Sequence, residues 1–509
     1  MEKKLKIALI HLNVKYKDIK TNCRKIIQLN KKACENNAKI IVNTEMAVSG
    51  YSFLSRKDIE DYVLTSTHDF LMELMGIAVK YGAYICLGFA EKDQAGVIFH
   101  NSAFVISPIG KIILKYHKIN AETRWACPGN PLQNNVFETP WAKIGVLICS
   151  DTYHGLLVRQ TALKGADIIL VPANWPFSGL DPKKLWASRA RENGVYIAAC
   201  NRGGKDRIMD CDNAPSCLFS PGGEIIVTQT SAKSKIIYSD IPLNCRGRVS
   251  GKIRHKIMDR RTPENYGPIY LDMRHITWKG GDLTSYYDLG LPAPVKIVCY
   301  TGENISIIFK SLQTFSDRCL KEFVLLVFPV MDIDLRTKGK FIQKIIDNIT
   351  SENLGICFNI NIKNKNKPLE PIIISKKTGI VQKDYKDLFV LDIGPCRIGM
   401  CIPEEIYHPE TGLALSKLGC DILISSMGHI NPNDCSMFGA RSLDKICVGI
   451  AGLNIAMICQ PPEGHAPWKE TIAYSPEFCK DMIDLKKIRN KNFQDRVDFK
   501  TLLSLKAAL

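Results

Sequence analysis

The 509-residue sequence lacks the patterns typical of disulfide-bonded, membrane-spanning or secreted proteins. It contains 19 cysteines but no C-x-x-C pair, and the thiols are scattered along the chain. Such a pattern is typical of a reducing compartment and not of a disulfide scaffold. No apolar run approaches the ~18 residues of a membrane span. Residues 1–9 predict a strand and not a signal peptide, because their apolar stretch is short. We therefore expect a cytoplasmic protein with no membrane partner.

Signatures of metal and nucleic-acid binding are also missing. The ten histidines show no ligand spacing such as H-E-x-x-H, so we expect no metal site. The net charge is +17, but the basic residues are spread along the chain. Their densest clusters, at residues 246–261 and 363–367, lack the interleaved aromatic side chains of a single-strand-binding surface. We expect no nucleic-acid partner.

The sequence does contain an internal repeat. Residues 144–149 (Ile-Gly-Val-Leu-Ile-Cys) match residues 398–403 (Ile-Gly-Met-Cys-Ile-Pro). Both segments continue, at a constant offset, to a Tyr-His pair and then to a Gly-x-Asp-Ile run. A repeat that holds its register over such a length predicts a tandem duplication. The predicted domains are residues 1–272 and 295–509, joined by a Gly- and Pro-containing linker at 273–294.

Alternation of short β-branched runs with helical patterns predicts an α/β layered architecture in each copy. Residues 83–89 and 103–106 form two consecutive apolar runs in the first copy. The connection between them is too short for a helix, so part of the sheet should be antiparallel.

Three reactive side chains follow apolar runs in the first copy. Cys149 precedes a helical pattern, and the positive end of that helix is expected to lower the pKa of the thiol. Lys118 follows a strand and a turn, and Glu45 follows the run 40–44, where open α/β sheets build their sites. Each residue taken singly has an ordinary interpretation, as a core thiol, a solvated lysine or a turn-capping acid.

Taken together, this set resembles the nitrilase (carbon–nitrogen hydrolase) superfamily, whose catalytic Glu, Lys and Cys occur in this order. The similarity extends over several ordered segments and covers essentially residues 5–272. These segments are Thr-Glu-Met-Ala-Val-Ser-Gly-Tyr at 44–51, Tyr-His-Lys-Ile at 116–119, Glu122 with Pro-Gly at 128–129, Val-Pro-Ala-Asn-Trp-Pro at 171–176, Arg-Ala-Arg-Glu-Asn-Gly-Val-Tyr at 189–196, Asn-Arg-Gly at 201–203 and Asp-Arg-Arg-Thr-Pro at 259–263.

The resemblance implies an α-β-β-α sandwich for each copy and a function for the catalytic residues. Glu45 would be the general base, Cys149 the nucleophile, and Lys118 the cation that stabilises the oxyanion, with Glu122 orienting the lysine. The backbone N–H of Ser150 would help to hold the oxyanion. The resemblance implies no metal and no organic cofactor.

The same resemblance suggests which residues contact the substrate and what the substrate is. Tyr51, Ser150, Asn174 and Trp175 are expected to contact a small-molecule amide or a related compound. Cys149 is followed by Ser150-Asp151, whereas nitrile-cleaving members typically have Trp-Glu at this point, so the amidase branches are favoured.

The second copy lacks two of the three catalytic groups. By register, Val330 takes the position of Glu45 and Pro403 that of Cys149, while Lys386 retains the lysine. Glu405 and His408 remain polar near the expected pocket mouth, where a structural role is favoured over ligand binding.

We interpret the second copy as a degenerate domain that supplies a pairing surface. The expectation is an intramolecular pseudo-dimer that packs residues 155–165 against residues 410–419. Further homo-oligomerisation is left open.

Three functions remain open. The first is an amidase-type hydrolase that is active in the first copy. The second is an acyltransferase that uses the same acyl-cysteine but resolves it with an amine or another nucleophile. The third is a tandem pseudoenzyme that acts as a scaffold, which an intact Glu-Lys-Cys set disfavours.

Overall fold

The computed structural model describes residues 3–271, 283–302, 305–316, 321–363, 369–382, 388–464, 466–491, 493 and 502. The chain divides into two compact units, one built on Met1–Arg260 and the other on Arg261–Asp495. Each unit contains two β-sheets flanked by helices, which is the α/β class that the alternating pattern predicts.

The first sheet of the first unit has the order β12-β1-β2-β3-β4-β5. Its central strands β1, β2 and β3 are parallel, and the outer strands join antiparallel. The antiparallel pair predicted at residues 83–89 and 103–106 is confirmed, with Ile85 opposite Ile106. The strands are β1 (Lys4–His11), β2 (Ile40–Asn43), β3 (Tyr84–Lys92), β4 (Phe99–Ile106), β5 (Ile112–His117) and β12 (Lys235–Pro242).

The second sheet of this unit has the order β11-β10-β9-β8-β7-β6, with β7, β8 and β9 parallel. Every residue of β8 is buried, as expected for a central parallel strand with both faces covered. The strands are β6 (Val136–Glu138), β7 (Lys143–Val146), β8 (Ile168–Pro172), β9 (Tyr196–Cys200), β10 (Ser216–Phe219) and β11 (Ile225–Gln229).

Helices cover the outer faces of these two sheets, and the inner faces meet through contacts of β1, β2 and β3 with β8 and β9. The longest helix, α1, is capped by Asp18, whose side chain accepts from the Thr21 N–H. The helices are α1 (Ile19–Glu35), α2 (Arg56–Ile59), α3 (Asp69–Tyr81), α4 (Gly155–Leu163), α5 (Pro182–Asn193) and α6 (Lys252–Met258).

The second unit repeats this arrangement of strands. Its sheets have the orders β18-β17-β16-β14-β13-β25 and β19-β20-β21-β22-β23-β24, with the same parallel centres and antiparallel flanks. The strands are β13 (Pro294–Tyr300), β14 (Phe323–Val327), β15 (Met331–Ile333), β16 (Leu354–Ile362), β17 (Glu370–Ser375), β18 (Gly379–Gln382), β19 (Phe389–Ile393), β20 (Cys396–Met400), β21 (Ile422–Ser426), β22 (Cys447–Ala451), β23 (Ile455–Gln460), β24 (Lys469–Tyr474) and β25 (Phe478–Asp484).

The helices of the second unit flank its sheets in the same way. They are α7 (Leu283–Tyr286), α8 (Ser306–Ser316), α9 (Leu335–Asp347), α10 (Pro409–Lys417), α11 (Cys435–Arg441) and α12 (Leu485–Arg489). A matching close approach links α4 to β7 and α10 to β20. A Cβ added at Gly145 would lie 2.3 Å from Thr161, and one added at Gly399 would lie 2.9 Å from Leu415.

The boundary between the compact units falls between Arg260 and Arg261, earlier than residue 272. The reason lies in a short 3-10 helix, Pro263–Tyr270, which packs on α10 of the second unit. The buried ion pair of Arg261 with Glu410, at 2.8 Å, adds to this contact. Of the expected linker at 273–294, residues 273–282 lie outside the described residues, and α7 occupies part of the remainder.

The described residues were compared with the requirements of a membrane-spanning helix and of a metal site, and neither is met. None of the helices in these ranges has the length and apolar character needed to cross a membrane. No group of three or more His, Cys, Asp or Glu side chains in the same ranges is arranged to hold a metal ion.

Candidate active site

The fold brings Glu45, Lys118 and Cys149 of the first unit together. Glu45 lies two residues beyond the end of β2, Lys118 directly follows β5, and Cys149 follows β7. The side chains of Glu45 and Lys118 are fully buried, and Cys149 is nearly so. Three groups that are far apart in sequence therefore share one enclosed site at the strand ends.

Lys118 forms the centre of a buried ion-pair network. Its Nζ lies 2.7 Å from Oε1 of Glu45 and 2.5 Å from Oε1 of Glu122. The Tyr51 hydroxyl donates to the same oxygen of Glu122, and the Tyr51 ring centre lies 5.7 Å from Nζ. Glu45 Oε2 has no hydrogen-bond partner within the described ranges. One oxygen of this carboxylate is thus committed to the lysine, and the other is available to accept a proton.

Cys149 has an unusual backbone conformation, with φ +45°. It opens a 3-10 turn, Cys149–Tyr153, that precedes α4. The Thr152 hydroxyl donates to the Cys149 carbonyl at 2.7 Å, and the Arg189 guanidinium donates to the Thr152 carbonyl at 2.9 Å. A left-handed cysteine is uncommon and persists only where its surroundings hold it, which is a feature of functional turns.

Asp151 ties this turn to the lysine segment. Its carboxylate accepts from the Tyr116 hydroxyl at 2.8 Å, from the Asn120 backbone N–H at 2.8 Å and from the Ile148 backbone N–H at 3.3 Å. The nucleophile turn and the residues after β5 are therefore held in one hydrogen-bonded unit. In the sequence, Asp151 served only to compare family branches, and this structural role was not predicted.

The pKa of the Cys149 thiol is raised, not lowered, so the expectation based on the helix is wrong. Burial is the main cause, and the adjacent Glu45 raises the pKa further, while Lys118 and a hydrogen bond from the Asn174 backbone act in the opposite direction. Cys149 also begins a 3-10 turn, and the α-helix α4 starts only at Gly155. The free thiol is therefore protonated at neutral pH and needs a base.

The two carboxyls beside Lys118 differ in acidity. Burial raises the pKa of Glu45, and the attraction of Lys118 only partly offsets this effect. Burial acts in the same direction on Glu122, but Lys118, Tyr51 and Asn101 together hold its pKa below the usual range. Burial works to lower the pKa of Lys118, but the two carboxylates keep it well above the usual range. The directions of both pKa shifts thus favour the charged forms of Lys118 and Glu122.

Of the four residues expected to contact a substrate, two have contacts with the charged network or with Cys149. Tyr51 contacts Glu122 and Lys118, and the Asn174 backbone reaches Cys149. Ser150 Oγ donates to the Asn120 carbonyl at 3.3 Å. The Trp175 indole N–H donates to the Leu180 carbonyl at 3.1 Å, and this contact holds the ring in its own loop.

The corresponding positions of the second unit agree with the sequence register. Ile7 pairs with Ile40 in the first unit and Ile297 with Leu325 in the second. This pairing relates Glu45 to Val330, and the β7–β8 pairing relates Cys149 to Pro403 in the same way.

The other polar positions of the second unit are only partly described. Glu405 accepts from the hydroxyls of Thr262 and Thr411 at 2.7 and 2.8 Å, as expected of a structural residue. Lys386 lies outside the described residues.

Comparison with known proteins gives matches over the first half of the chain. Residues 6–249 match the family model described as carbon-nitrogen hydrolase. A nitrilase of Pyrococcus abyssi is 32% identical over 248 residues, which is 47% of this chain and 90% of the relative. The chain belongs to the carbon–nitrogen hydrolase family. The omega-amidase NIT2 of Mus musculus is 25% identical over 281 residues, covering 52% of this hydrolase and 99% of the relative.

Solved structures also match this carbon–nitrogen hydrolase. Saccharomyces cerevisiae Nit3 is 23% identical with a TM-score of 0.43, covering 47% of this chain and 90% of that chain. An amidase from Nesterenkonia sp. is 22% identical with a TM-score of 0.43, covering 48% and 92%. The family assignment makes the protein an enzyme and agrees with the resemblance found from the sequence motifs.

Proposed function

We propose that the first unit is an amidase-type hydrolase that works through a thioester on Cys149, with Glu45 as base and Lys118 as cation. The observation that supports this most strongly is the distribution of contacts on Glu45. Lys118 binds Oε1, and Oε2 is buried with no hydrogen-bond partner in the described part of the chain. The Glu45 side chain also lies close enough to the thiol to raise the pKa of Cys149. A base needs such an unoccupied oxygen within reach of the proton that it removes.

In the first half of the reaction, Glu45 Oε2 takes the proton of the Cys149 thiol and the sulfur attacks the amide carbonyl carbon. The carbonyl oxygen becomes an oxyanion, which Lys118 Nζ and the Ser150 backbone N–H stabilise. As the carbon–nitrogen bond breaks, the leaving nitrogen receives the proton from Glu45. The products are free amine or ammonia and an acyl thioester.

In the second half, water attacks the thioester and transfers a proton to Glu45. The carbon–sulfur bond then breaks, and the proton held by Glu45 returns to the sulfur while the carboxylic acid departs. Glu45 thus takes up and returns one proton in each half of the reaction and is unchanged after the cycle. Its raised pKa suits this exchange, because a base that ionises closer to neutral pH also returns its proton readily.

The choice of an amide over a nitrile follows from Ser150 and Asp151 after the nucleophile. Omega-amidase relatives from several vertebrates support this choice. An acyltransferase would use the same acyl-cysteine with an amine in place of water, and it remains the second candidate.

We further propose that the second unit is a degenerate copy that arose by tandem duplication. The matching strand orders of the two units support this origin. Val330 and Pro403 remove the base and the nucleophile, and proline supplies neither a thiol nor an N–H group at the turn. The second unit would pair with the first to give a pseudo-dimer with one working site. We also propose that the protein is cytoplasmic.

The test is release of ammonia or amine from a panel of small amides, carbamoyl compounds and nitriles, with product acids measured in parallel. We expect turnover of amides and its loss, by several powers of ten, in Cys149→Ala. Appearance of a new amide when an amine is added would favour the acyltransferase. Amide turnover undiminished in Cys149→Ala would contradict the proposal.

A further inference from the structure

Asn101 contacts all three charged residues of the site. It lies in β4, and its side chain is fully buried. Its Nδ2 donates to Glu45 Oε1 at 2.8 Å and to Glu122 Oε2 at 3.0 Å. Its backbone carbonyl accepts from the Lys118 N–H at 2.8 Å. Lys118 Nζ donates to the same two carboxyls, at Oε1 of each, so Asn101 and Lys118 hold the pair of acids together.

The orientation of the Asn101 amide is fixed by these contacts. A flipped amide would direct Oδ1 at two carboxyl groups, so the NH₂ group must face them. In the observed orientation, Oδ1 is buried and has no hydrogen-bond partner within the described ranges. Burial of an unpaired carbonyl opposes folding. A side chain that served stability alone would avoid this cost, whereas one that serves the site would accept it.

The contacts of Asn101 and Lys118 converge on one oxygen of the base. Both Asn101 Nδ2 and Lys118 Nζ donate to Glu45 Oε1, and Oε2 is buried with no hydrogen-bond partner among the described residues. We propose that Asn101 is a positioning residue, which holds Glu45 so that Oε2 faces Cys149 and keeps Glu122 paired with Lys118. This inference rests on the proposed function, because the direction of Oε2 matters only if Glu45 is the base.

The proposal has a consequence for the pH dependence of catalysis. Among the described residues, the charged and titratable groups that face Glu45 are Lys118, Glu122, Tyr51 and Cys149, and Asn101 is the neutral donor among them. Its hydrogen bond favours the ionised carboxylate and so lowers the pKa of Glu45. Loss of the donor should raise that pKa, and the acid limb of kcat/KM should move to higher pH.

The experiment compares Asn101→Ala with Asn359→Ala in the full-length protein. Asn359 is a fully buried asparagine of the second unit, and its Nδ2 donates to the Ser426 carbonyl at 2.9 Å. We expect Asn101→Ala to lower kcat by about 100-fold, the scale of a misplaced reacting group, with KM little changed. The acid limb should move upward. Asn359→Ala should lose stability but keep the wild-type kcat and acid limb.

A second variant separates the donor from the size of the side chain. Asn101→Asp keeps the shape, but it replaces the donor by an acceptor beside two acids. It should therefore lower kcat further than Asn101→Ala and move the acid limb further upward. Wild-type kcat in either variant would overturn the proposal. The proposal would also be overturned if Asn101→Ala lowered kcat without moving the acid limb and lost as much stability as Asn359→Ala. Cys149→Ala, measured alongside, reports separately on the proposed function, because an active Cys149→Ala would refute that function instead.

Discussion

Lys118 Nζ lies 2.7 Å from Oε1 of Glu45, although 73 residues separate the two along the chain. This ion pair is completely buried, and Lys118 has a second carboxylate partner in Glu122 at 2.5 Å. Removal of charges from water is unfavourable unless they are paired and hydrogen-bonded. The buried network therefore reduces the stability of the fold, and the proposed role in catalysis would explain why it is present.

The two lysines at corresponding positions provide a matched pair of variants. Lys118→Ala removes the cation beside Glu45 and should lower kcat/KM by at least about 100-fold, the usual effect of losing one oxyanion donor. Lys386→Ala removes the corresponding lysine of the second unit, where Pro403 provides no nucleophile, and should leave kcat/KM unchanged. The measurement is steady-state amide hydrolysis by both purified variants. Equal loss in the two would mean that the active unit is wrongly assigned.

Glu45 and Glu122 should respond in opposite ways to neutralisation. The folded state raises the pKa of Glu45, so its ionised form opposes folding at neutral pH and this effect disappears as the pH falls through the folded pKa. The folded state lowers the pKa of Glu122, so its ionisation supports folding above the unfolded pKa, and this support is lost as the pH falls through the folded pKa.

Glu122→Gln should therefore lower the free energy of unfolding at pH 7 by about 1.5–3 kcal/mol, the value of a hydrogen bond to a charged group. Glu45→Gln should be inactive but at least as stable as the wild type. Urea denaturation at pH 7 distinguishes the two variants. A destabilised Glu45→Gln with an unaffected Glu122→Gln would reverse the account of this pair.

Asp151 should contribute to both stability and activity. Asp151→Ala removes the carboxylate that accepts hydrogen bonds from Tyr116, Asn120 and Ile148, which should reduce the free energy of unfolding by about 3 kcal/mol or more. Glu138→Ala is the control, because Glu138 is exposed and forms surface ion pairs with Lys143 and Arg248, each at 3.7 Å. Thermal unfolding of both variants tests this. An Asp151→Ala protein as stable as Glu138→Ala would show that the nucleophile turn does not depend on this carboxylate.

Much of the site was predictable because its charged members follow apolar strands. Glu45, Lys118 and Cys149 were found in this way, and the structure brings them together. Asn101 was not predicted because it lies within an apolar strand, where a single polar residue does not indicate a particular role. Its carboxylate partners are also 56 and 21 residues away along the chain. The pKa of Cys149 was predicted wrongly because only the following residues were considered. Its actual causes, burial and Glu45, arise from tertiary structure.

The second unit is predicted to complete a surface of the first. If the units form a pseudo-dimer, a fragment of residues 1–292 should expose an apolar interface, and obligate interfaces bury on the order of 2,000 Å² or more. We expect the fragment to aggregate or to form a homodimer. Light scattering coupled to size exclusion, together with amide turnover, reports the outcome. A soluble, monomeric and fully active fragment would show that the second unit is dispensable.

The central claim is that the acyl group of an amide is transferred to Cys149, and intact mass spectrometry tests it most directly. The wild type, Glu45→Gln and Cys149→Ala are incubated with a panel of small amides and quenched in acid, which preserves thioesters. The adduct is then located by peptide mapping. The account predicts an added acyl mass on Cys149 in the wild type, with no adduct in Cys149→Ala and slower formation in Glu45→Gln. An adduct on another cysteine, or turnover of an amide by Cys149→Ala at the wild-type rate, would contradict it.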